Sequence, residues 1–376
     1  MSPPPDDPDI QPGPTGQPPE IAFASGAEWL RGEGEHADVV MSSRARLARN
    51  LAGFPFMTRA DRAARQAILD LCRAHINACA LANRLLWLDL HKAGAPERTL
   101  LVERHLISQQ HARGRQSTGA GGLDEPRAVA VSIPDERLAV MVNEEDHLRV
   151  QVLRSGLALD RAWEECDAAD DKLEAGLDYA FAPRFGYLTA CPTNVGTGVR
   201  FSVMLHLPAL KLTGEIDKVK RAAADLSLAV RGFYGEGSDA AGDFYQISNQ
   251  VTLGKSERII LHELHSEIIP KVVEYERAAR RTLLAKRRAS LEDQVFRALG
   301  LLRHARLMTA EESMQLLSHV RLGVVLGLIS GISQTRVNQL MLLTQPAHLQ
   351  RAAGRPLDQE QRRAVRAQIL QQHLAS

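Results

Sequence analysis

"MVNEEDHLRV", residues 141–150, sets three consecutive carboxylates, Glu144, Glu145 and Asp146, directly after an apolar run, with His147 and Arg149 close behind. A charge run of this kind normally marks a solvated turn after a strand. Carboxylates packed together beside cations also suit a site that must manage a proton or a bound cation. The remainder of the chain decides between the two.

The chain has 376 residues, room for two domains, with 44% hydrophobic and 24% charged residues, as in an ordinary globular protein. A net charge of +1 gives no global argument for nucleic acid or membrane binding. Cys72, Cys79, Cys166 and Cys191 lack CxxC spacing, which fits a reducing compartment better than a disulfide or zinc framework. No apolar run reaches the roughly 18 residues of a membrane span. The start, "MSPPPDDPDIQPGPTGQPPE", has neither a basic nor an apolar signal-peptide region, so the expected location is the cytoplasm. Its prolines and glycines predict a disordered tail over 1–20.

Beyond the tail the texture divides. Residues 21–256 mix helical patterns with β-rich runs. "ERTLLVERHLI" (97–107), "RAVAVSI" (127–133), "LAVMVNEE" (138–145), "RFGYLTACPTN" (184–194), "VRFSVMLHLPAL" (199–210) and "GDFYQISNQVTL" (242–253) read as strands, and "IDKVKRAAADLSLAV" (216–230) as a helix. "VVMSSRARLARN" (39–50) reads as the start of a basic helix. Residues 257–376 are helical in pattern almost throughout. The expectation is an α+β catalytic domain with a largely antiparallel sheet flanked by helices, followed by an all-helical C-terminal domain. The apolar stripe of "MQLLSHVRLGVVLGLI" exceeds what a small helical domain can cover, so a homodimer through 257–376 is expected.

Several loops carry chemistry. Arg44, Arg46, Arg149, Arg200 and Arg231 occupy separate segments, and cations gathered at strand ends are costly unless an anion joins them. A polyphosphate suits planar guanidinium groups, which bind its oxygens in bidentate geometry. Gly196 and Gly198, and the glycines around Glu236, let backbone N–H groups approach such an anion. The usual nucleotide motifs are absent. "TLGKS" (252–256) lacks the leading glycine of a P-loop, "GEGSDAAG" (235–242) misses GxGxxG spacing, and "HELH" (262–265) is not HExxH, so no protein metal site is expected.

In order, "SSRARLARN", "NEEDHLR", "CPTNVGTGVRFSV", "RGFYGEGS" and "ISNQVTLG" resemble the signature segments of the ATP:guanidino phosphotransferases, the phosphagen kinase family. "HVRLGVVLGLISGI" (319–332) and "LMLLTQPAHLQ" (340–350) extend the resemblance into its bacterial protein-arginine kinase branch. Small-molecule members carry a helical domain ahead of the catalytic domain that covers the guanidine pocket. Here "SSRAR" starts at Ser42, leaving little room for one, so the resemblance implies an open pocket that admits arginine on a protein surface.

The resemblance implies that Mg²⁺ and ATP are used, with phosphoarginine as the product. A guanidinium is cationic and a poor nucleophile, and two straddling carboxylates orient it and take its proton. By resemblance these are Glu145 and Glu236. Glu144 and Asp146 contact the Mg²⁺ water shell or brace the loop, and Cys191 faces the guanidinium. The implied nucleotide contacts are Ser42, Ser43, Arg44, Ala45, Arg46, His105, Arg149, Arg200, Phe201, Ser202, Val203 and Met204. Arg231, Gly232, Phe233, Tyr234, Gly235 and Glu236 complete them. Cys72, Cys79 and Cys166 read as small buried hydrophobes. The implied partners are substrate proteins with exposed arginines, a Clp protease system and a zinc-binding activator protein, in stress response and protein quality control. Near the C-terminus, Arg362, Arg366 and Ala367 fit the branch's regulatory phosphoarginine pocket. Arg363 stands where that motif has aspartate and offers only donors to the guanidino end, so selectivity for phosphoarginine over phosphate should be weak.

Overall fold

The computed structural model describes residues 27–114, 125–232 and 241–375. Ten strands occur in it: β1 Val40–Arg49, β2 Leu85–Asp89, β3 Ala128–Ser132, β4 Leu138–Val142, β5 Leu148–Ser155, β6 Phe181–Ala182, β7 Gly186–Tyr187, β8 Val199–His206, β9 Leu228–Arg231 and β10 Phe244–Asn249. Eight form one sheet in the order β2-β3-β4-β5-β1-β8-β10-β9, and every neighbouring pair is antiparallel. The short β6 and β7 pair separately.

The first helices are α1 Arg62–Ala78, α2 Ala95–Glu103, α3 Gln109–Arg113, α4 Leu159–Glu174, α5 Pro208–Leu212 and α6 Ile216–Asp225. The helical region then runs α7 Glu257–His262, a π-helical turn Glu263–Ile268, α8 Ile269–Lys286, α9 Arg288–His304, α10 Ala310–Val325, α11 Gln334–Leu343, α12 Pro346–Ala353 and α13 Gln359–Leu374. An antiparallel sheet flanked by helices, with a helical C-terminal region, agrees with the expected fold class. Among the described residues no helix is long and apolar enough to cross a membrane.

The sheet has two chemically different faces. Ala45, Leu47, Val150, Val152, Phe201, Val203 and Ile247 are buried together with α1 and α4 side chains. The opposite face is covered only in part. Val129, Val131, Ala139 and Met141 pack there with Leu101 of α2 in a smaller core. Beyond β4 that face turns polar. Registers align Gln151, Arg46 and Arg200 in one cross-strand row, and Ser42, Met204, Gln246 and Arg231 in another.

Four sequence expectations fail locally, the first being the helix read over 216–230, which ends at Asp225 and gives way to the edge strand β9, paired with β10. Residues 39–50 form the central strand and not a helix start. Arg44 and Arg46 alternate with Ala45 and Leu47, a period of two that puts cations on one face and apolar groups on the other. Residues 97–107 form α2 and a turn instead of a strand. Pro96 lies in the first helical turn, and the Glu97 carboxylate accepts from the Gly94 N–H at 2.8 Å, so the local start signal overrides the β-branched pattern. Residues 184–194 contain only the two-residue β7 and a 3₁₀ turn at Pro192–Asn194.

The helical region shares its core with the sheet. Met314, Leu317, Val320 and Leu322 of α10 are buried within the chain. Leu316, Val324, Leu326 and Leu328 of the same stretch are partly buried against that core. Arg321, fully buried, ties α10 to the sheet. It donates to Asp38 O (3.1 Å), Ala37 O (2.9 Å) and Asn338 Oδ1 (3.0 Å), and meets His206 Nδ1 at 2.8 Å. Removing it strands those acceptors in the interior. Arg321→Leu is expected to lose about 3 kcal/mol of stability at unchanged denaturant m-value, read by urea unfolding. An unshifted midpoint would refute the clasp.

Candidate active site

A cavity of about 550 Å³ opens on the polar face of the sheet. Its walls include Arg44, Arg46, Arg149, Arg200 and Arg231, with His105, Glu144, Glu145 and Cys191. Segments far apart in sequence thus converge on one space. Arg46 and Arg200 lie directly opposite each other on β1 and β8, a like-charge pairing that destabilises a sheet. Burial, then Arg149, Arg44 and Arg200, hold the Arg46 guanidinium well below the usual range. Burial and Arg149, Arg200 and Arg231 bring Arg44 down to about 10. A guanidinium does not give up its proton in practice, so these shifts measure crowding that a bound polyanion would relieve.

The three carboxylates of the acidic turn differ in setting. Glu144 is enclosed. Its side chain pairs with Arg149 at 2.6 Å, accepts the Ser108 O–H at 2.5 Å and accepts the Glu145 N–H at 2.7 Å. Burial opposes ionisation there, but Arg149, His111 and these hydrogen bonds outweigh it and bring the pKa down to about 2. Asp146 is fully buried and accepts from Asn50 Nδ2 (2.6 Å) and the Ala190 N–H (2.7 Å), so it braces the loop. Glu145 keeps about a third of its side chain exposed and reaches Arg149 Nη2 at 3.0 Å. Of the three, it is the one free to meet an incoming group. His147 accepts from the Leu51 N–H at 2.9 Å and meets Pro55 O at 3.0 Å, and so supports the chain behind the site.

His105 sits in the turn after α2 with φ +59°, not at a strand end. Its ring meets Trp29 edge-on at 4.9 Å, and burial with Arg44 nearby lowers its pKa to about 3. Cys191 precedes the turn at Pro192–Asn194, its Sγ 3.1 Å from Thr193 Oγ1. The following loop needs glycine. At Gly196 (φ +114°) a Cβ would lie 2.8 Å from Thr252 O, and at Gly198 (φ +69°) 2.7 Å from Ala48 O.

Not every expected contact faces the cavity. Ser43, Ala45, Phe201 and Val203 lie on the opposite, buried face of the sheet, where period-two alternation sends them. The Ser43 hydroxyl donates to Gly156 O there. Ser42, Ser202 and Met204 line a small recess with Arg44 and His105. Gly232 ends the described part of its loop, while Phe233, Tyr234, Gly235 and Glu236 fall outside the described residues. Sequence reasoning missed Ser108, Gln109, Gln110, Arg113, Thr193, Asn194, Gln151 and Gln246, all in the wall. Thr193 and Asn194 stood inside the quoted "CPTN" segment, and Ser108 left a local signal, since its side chain caps α3 by accepting the His111 N–H.

The C-terminal arginines are turned inward. Arg366 donates to Thr344 O (2.8 Å) and Met308 O (3.0 Å), Arg362 donates to Leu357 O (2.7 Å), and Ala367 is buried. Arg363 is half-buried, and its carbonyl accepts the Met308 N–H. Arg362 thus holds the first turn of α13, and Arg366, in the middle of that helix, holds the end of α11 and the segment before α10. Among the described residues no group of three or more His, Cys, Asp or Glu is placed to hold a metal ion.

Residues 68–279 match the model of the ATP:guanido phosphotransferase C-terminal catalytic domain, and residues 288–376 that of the protein-arginine kinase McsB C-terminal domain. The protein-arginine kinase of Symbiobacterium thermophilum is 44% identical over 360 residues, covering 95% of this chain and 99% of that protein. That of Moorella thermoacetica is 46% identical over 354 residues, covering 93% and 97%. Among solved structures, lombricine kinase is similar at TM-score 0.53 and 26% identity, covering 66% of this chain and 68% of its own. The duplicated taurocyamine kinase of Schistosoma mansoni, with bound transition-state analogue components, is similar at TM-score 0.54 and 25% identity, covering 64% of this chain and 33% of that longer one.

Glu144 gives a pH prediction. Its folded pKa lies below the ordinary 4.5, so its contribution to stability is complete above that value and is lost as pH falls towards about 2. Glu144→Gln should remove up to about 3 kcal/mol at neutral pH. It should also flatten the stability loss between about pH 5 and pH 2, measured by denaturant unfolding across that range. A mutant with the wild-type acid slope would show that another carboxylate carries it.

Proposed function

The chain belongs to the ATP:guanido phosphotransferase family, and from that premise we propose that it transfers the γ-phosphoryl group of ATP to arginine side chains of proteins. The observation that carries this reading is the convergence of five arginines, Glu145 and Cys191 on one cavity. In it, Arg44, Arg46, Arg200 and Arg231 clasp the phosphates. Arg149 is held by Glu144 and Glu145 and spans the boundary between phosphates and acceptor. His105 packs against the nucleotide as an uncharged ring. Magnesium enters with ATP and is held chiefly by phosphate oxygens and water, as suits a cation that rarely has an all-protein cage.

The acceptor guanidinium lies against Glu145 and Cys191, with Glu236 as its second carboxylate. A nitrogen of the acceptor attacks the γ-phosphorus, and the bond from phosphorus to the β–γ bridging oxygen breaks. The proton released from that nitrogen passes to a carboxylate, and ADP leaves. Glu144 does not take this proton, because its pairing with Arg149 makes it too weak a base. Its work is to hold Arg149, while Asp146 holds the turn. The arginines stabilise charge on the transferring group, the main protein contribution to phosphoryl transfer.

The direct test is mass spectrometry for phosphoarginine on an unstructured protein substrate after incubation with Mg·ATP. Handling must be non-acidic, and free arginine is assayed in parallel. Product on free arginine alone would defeat the protein-acceptor reading. Glu145→Gln and Glu236→Gln are each expected to lower turnover about 10²–10⁴-fold with ADP affinity nearly unchanged. Turnover like that of the wild type in either variant would move the acid–base work elsewhere. Arg200→Ala and Arg231→Ala should instead weaken ADP binding and turnover together, by calorimetric titration and initial rates. Unaltered ADP affinity in both would remove them from the phosphate clasp.

A further inference from the structure

On its acceptor side the active-site cavity is walled by Cys191, Thr193 and Asn194. The turn that carries them is gripped from two directions. Tyr187 of β7 exchanges backbone hydrogen bonds with Gly196, at 2.8 and 3.3 Å. The Thr252 hydroxyl, in the segment after β10, donates to Thr193 O (3.0 Å) and Val195 O (2.7 Å). Both approaches are close. A Cβ on Gly186 would lie 2.5 Å from Gly196 O, and one on Gly196 would lie 3.0 Å from Leu253 Cα. The β6–β7 hairpin and residues 251–253 therefore flank the wall turn.

Large apolar side chains stand exposed on both flanks. Phe181 is 56% and Phe185 46% exposed on the hairpin, and Val251 is 51% and Leu253 52% exposed after β10. Pro192, in the wall turn itself, is exposed as well. Their support is stiff. Phe181 meets the Tyr187 ring edge-on at 5.4 Å, and Arg49, paired with Asp170 at 2.7 Å, lies 3.6 Å from the centre of that ring. Charge is sparse. Between 180 and 199 the one charged residue is Arg184, whose guanidinium lies over the Phe185 ring, and 244–254 has none. Exposed apolar groups gathered in this way mark a contact surface.

We propose that this rim receives the substrate polypeptide and takes an apolar side chain that flanks the target arginine. The inference rests on the protein-acceptor reading above. A guanidinium that reaches Cys191 from a polypeptide brings its neighbours over the mouth, since successive Cα atoms are only about 3.8 Å apart. An apolar neighbour there withdraws its own surface and that of Phe181 or Leu253 from water together. A cationic neighbour finds no carboxylate in 180–199 or 244–254 to pair with. The fastened hairpin loses little freedom on contact, which favours binding. A permanent occupant, such as a second copy of the chain, does not suit this position. Seated on both flanks, it would cover the wall turn between them and the route to Cys191.

The test uses the full-length enzyme and peptides with a single arginine. Leucine or serine is placed at each neighbouring position in turn, and phosphoarginine is quantified by mass spectrometry. At one flanking position at least, leucine is expected to raise kcat/KM about ten-fold over serine, mostly through KM. The leucine-to-serine ratio is expected to fall to within about two-fold in the double variant Phe181→Ser/Leu253→Ser, with ADP affinity unchanged. A ratio cancels any loss of folded enzyme, so reduced folding of the variant does not obscure the result. Equal rates at every position in the wild type would overturn the rim while leaving the protein-acceptor reading intact. So would product on an unstructured protein but on no peptide, because a contact to flanking residues acts in a short chain as well. A leucine preference that survives in the double variant would also overturn it. If light scattering then shows an altered oligomeric state, the rim belongs to a second copy. If neither protein nor peptide gains phosphoarginine, the protein-acceptor reading fails and the rim with it.

Discussion

The structure depends on placing five arginines where they repel one another. Arg46 and Arg200 are cross-strand partners, and burial together with three other guanidinium groups lowers the pKa of Arg44. A sheet tolerates this only if its other face repays the cost. The apolar residues that alternate with these arginines on β1, β5 and β8 do so, packed with α1 and α4 in the principal core. The same period-two alternation therefore builds the core and the cationic floor at once. Changing the register by one residue would exchange the two faces and destroy both.

The acidic turn that raised the first question resolves into a division of labour. Three adjacent carboxylates cannot share one role, because adjacent residues point in different directions. Glu144 turns towards Arg149 and Ser108, Asp146 towards Asn50 and the Ala190 amide, and Glu145 towards the cavity. The sequence showed that the triplet was unusual for a surface turn. It did not show which member stays open to a ligand, because that depends on Ser108, Asn50 and Ala190, which arrive from distant segments.

The legible parts of the fold were those with long periodic patterns. The strands at 128–132, 138–142, 199–206 and 244–249 and the helical region after 257 follow from hydrophobic spacing. The errors share a cause. In 39–50, arginines on a strand resemble a basic helix face until the partner strands are known, and in 97–107 a proline and a capping glutamate outweigh apolar content. The apolar stripe of α10 was legible as a stripe, but what covers it was not. Its partners, α9 and α11 and the segment around Gly242, lie in the same chain.

The helical region also takes part in holding the active site. Glu103, buried at the end of α2, accepts the N–H groups of Ala347 (2.9 Å) and His348 (3.2 Å) at the start of α12, and its Oε2 meets His348 Nδ1 at 2.8 Å. Arg104 follows, donating through Nε to Glu136 at 2.7 Å and lying 3.2 Å from His348 Nε2. The next residues are His105 and, three further on, Ser108, whose hydroxyl holds Glu144 on Arg149. Gln151 fixes the same turn from the sheet side by donating to His105 O and Leu106 O. The turn that presents these groups to the cavity is thus fastened between β5 and α12. A buried carboxylate at a helix N-terminus is stable only while that helix stays in place, since an uncompensated charge would otherwise remain in the interior. Seating of α12 and the geometry around Glu144 are for that reason parts of one mechanical unit, although more than two hundred residues of chain separate them.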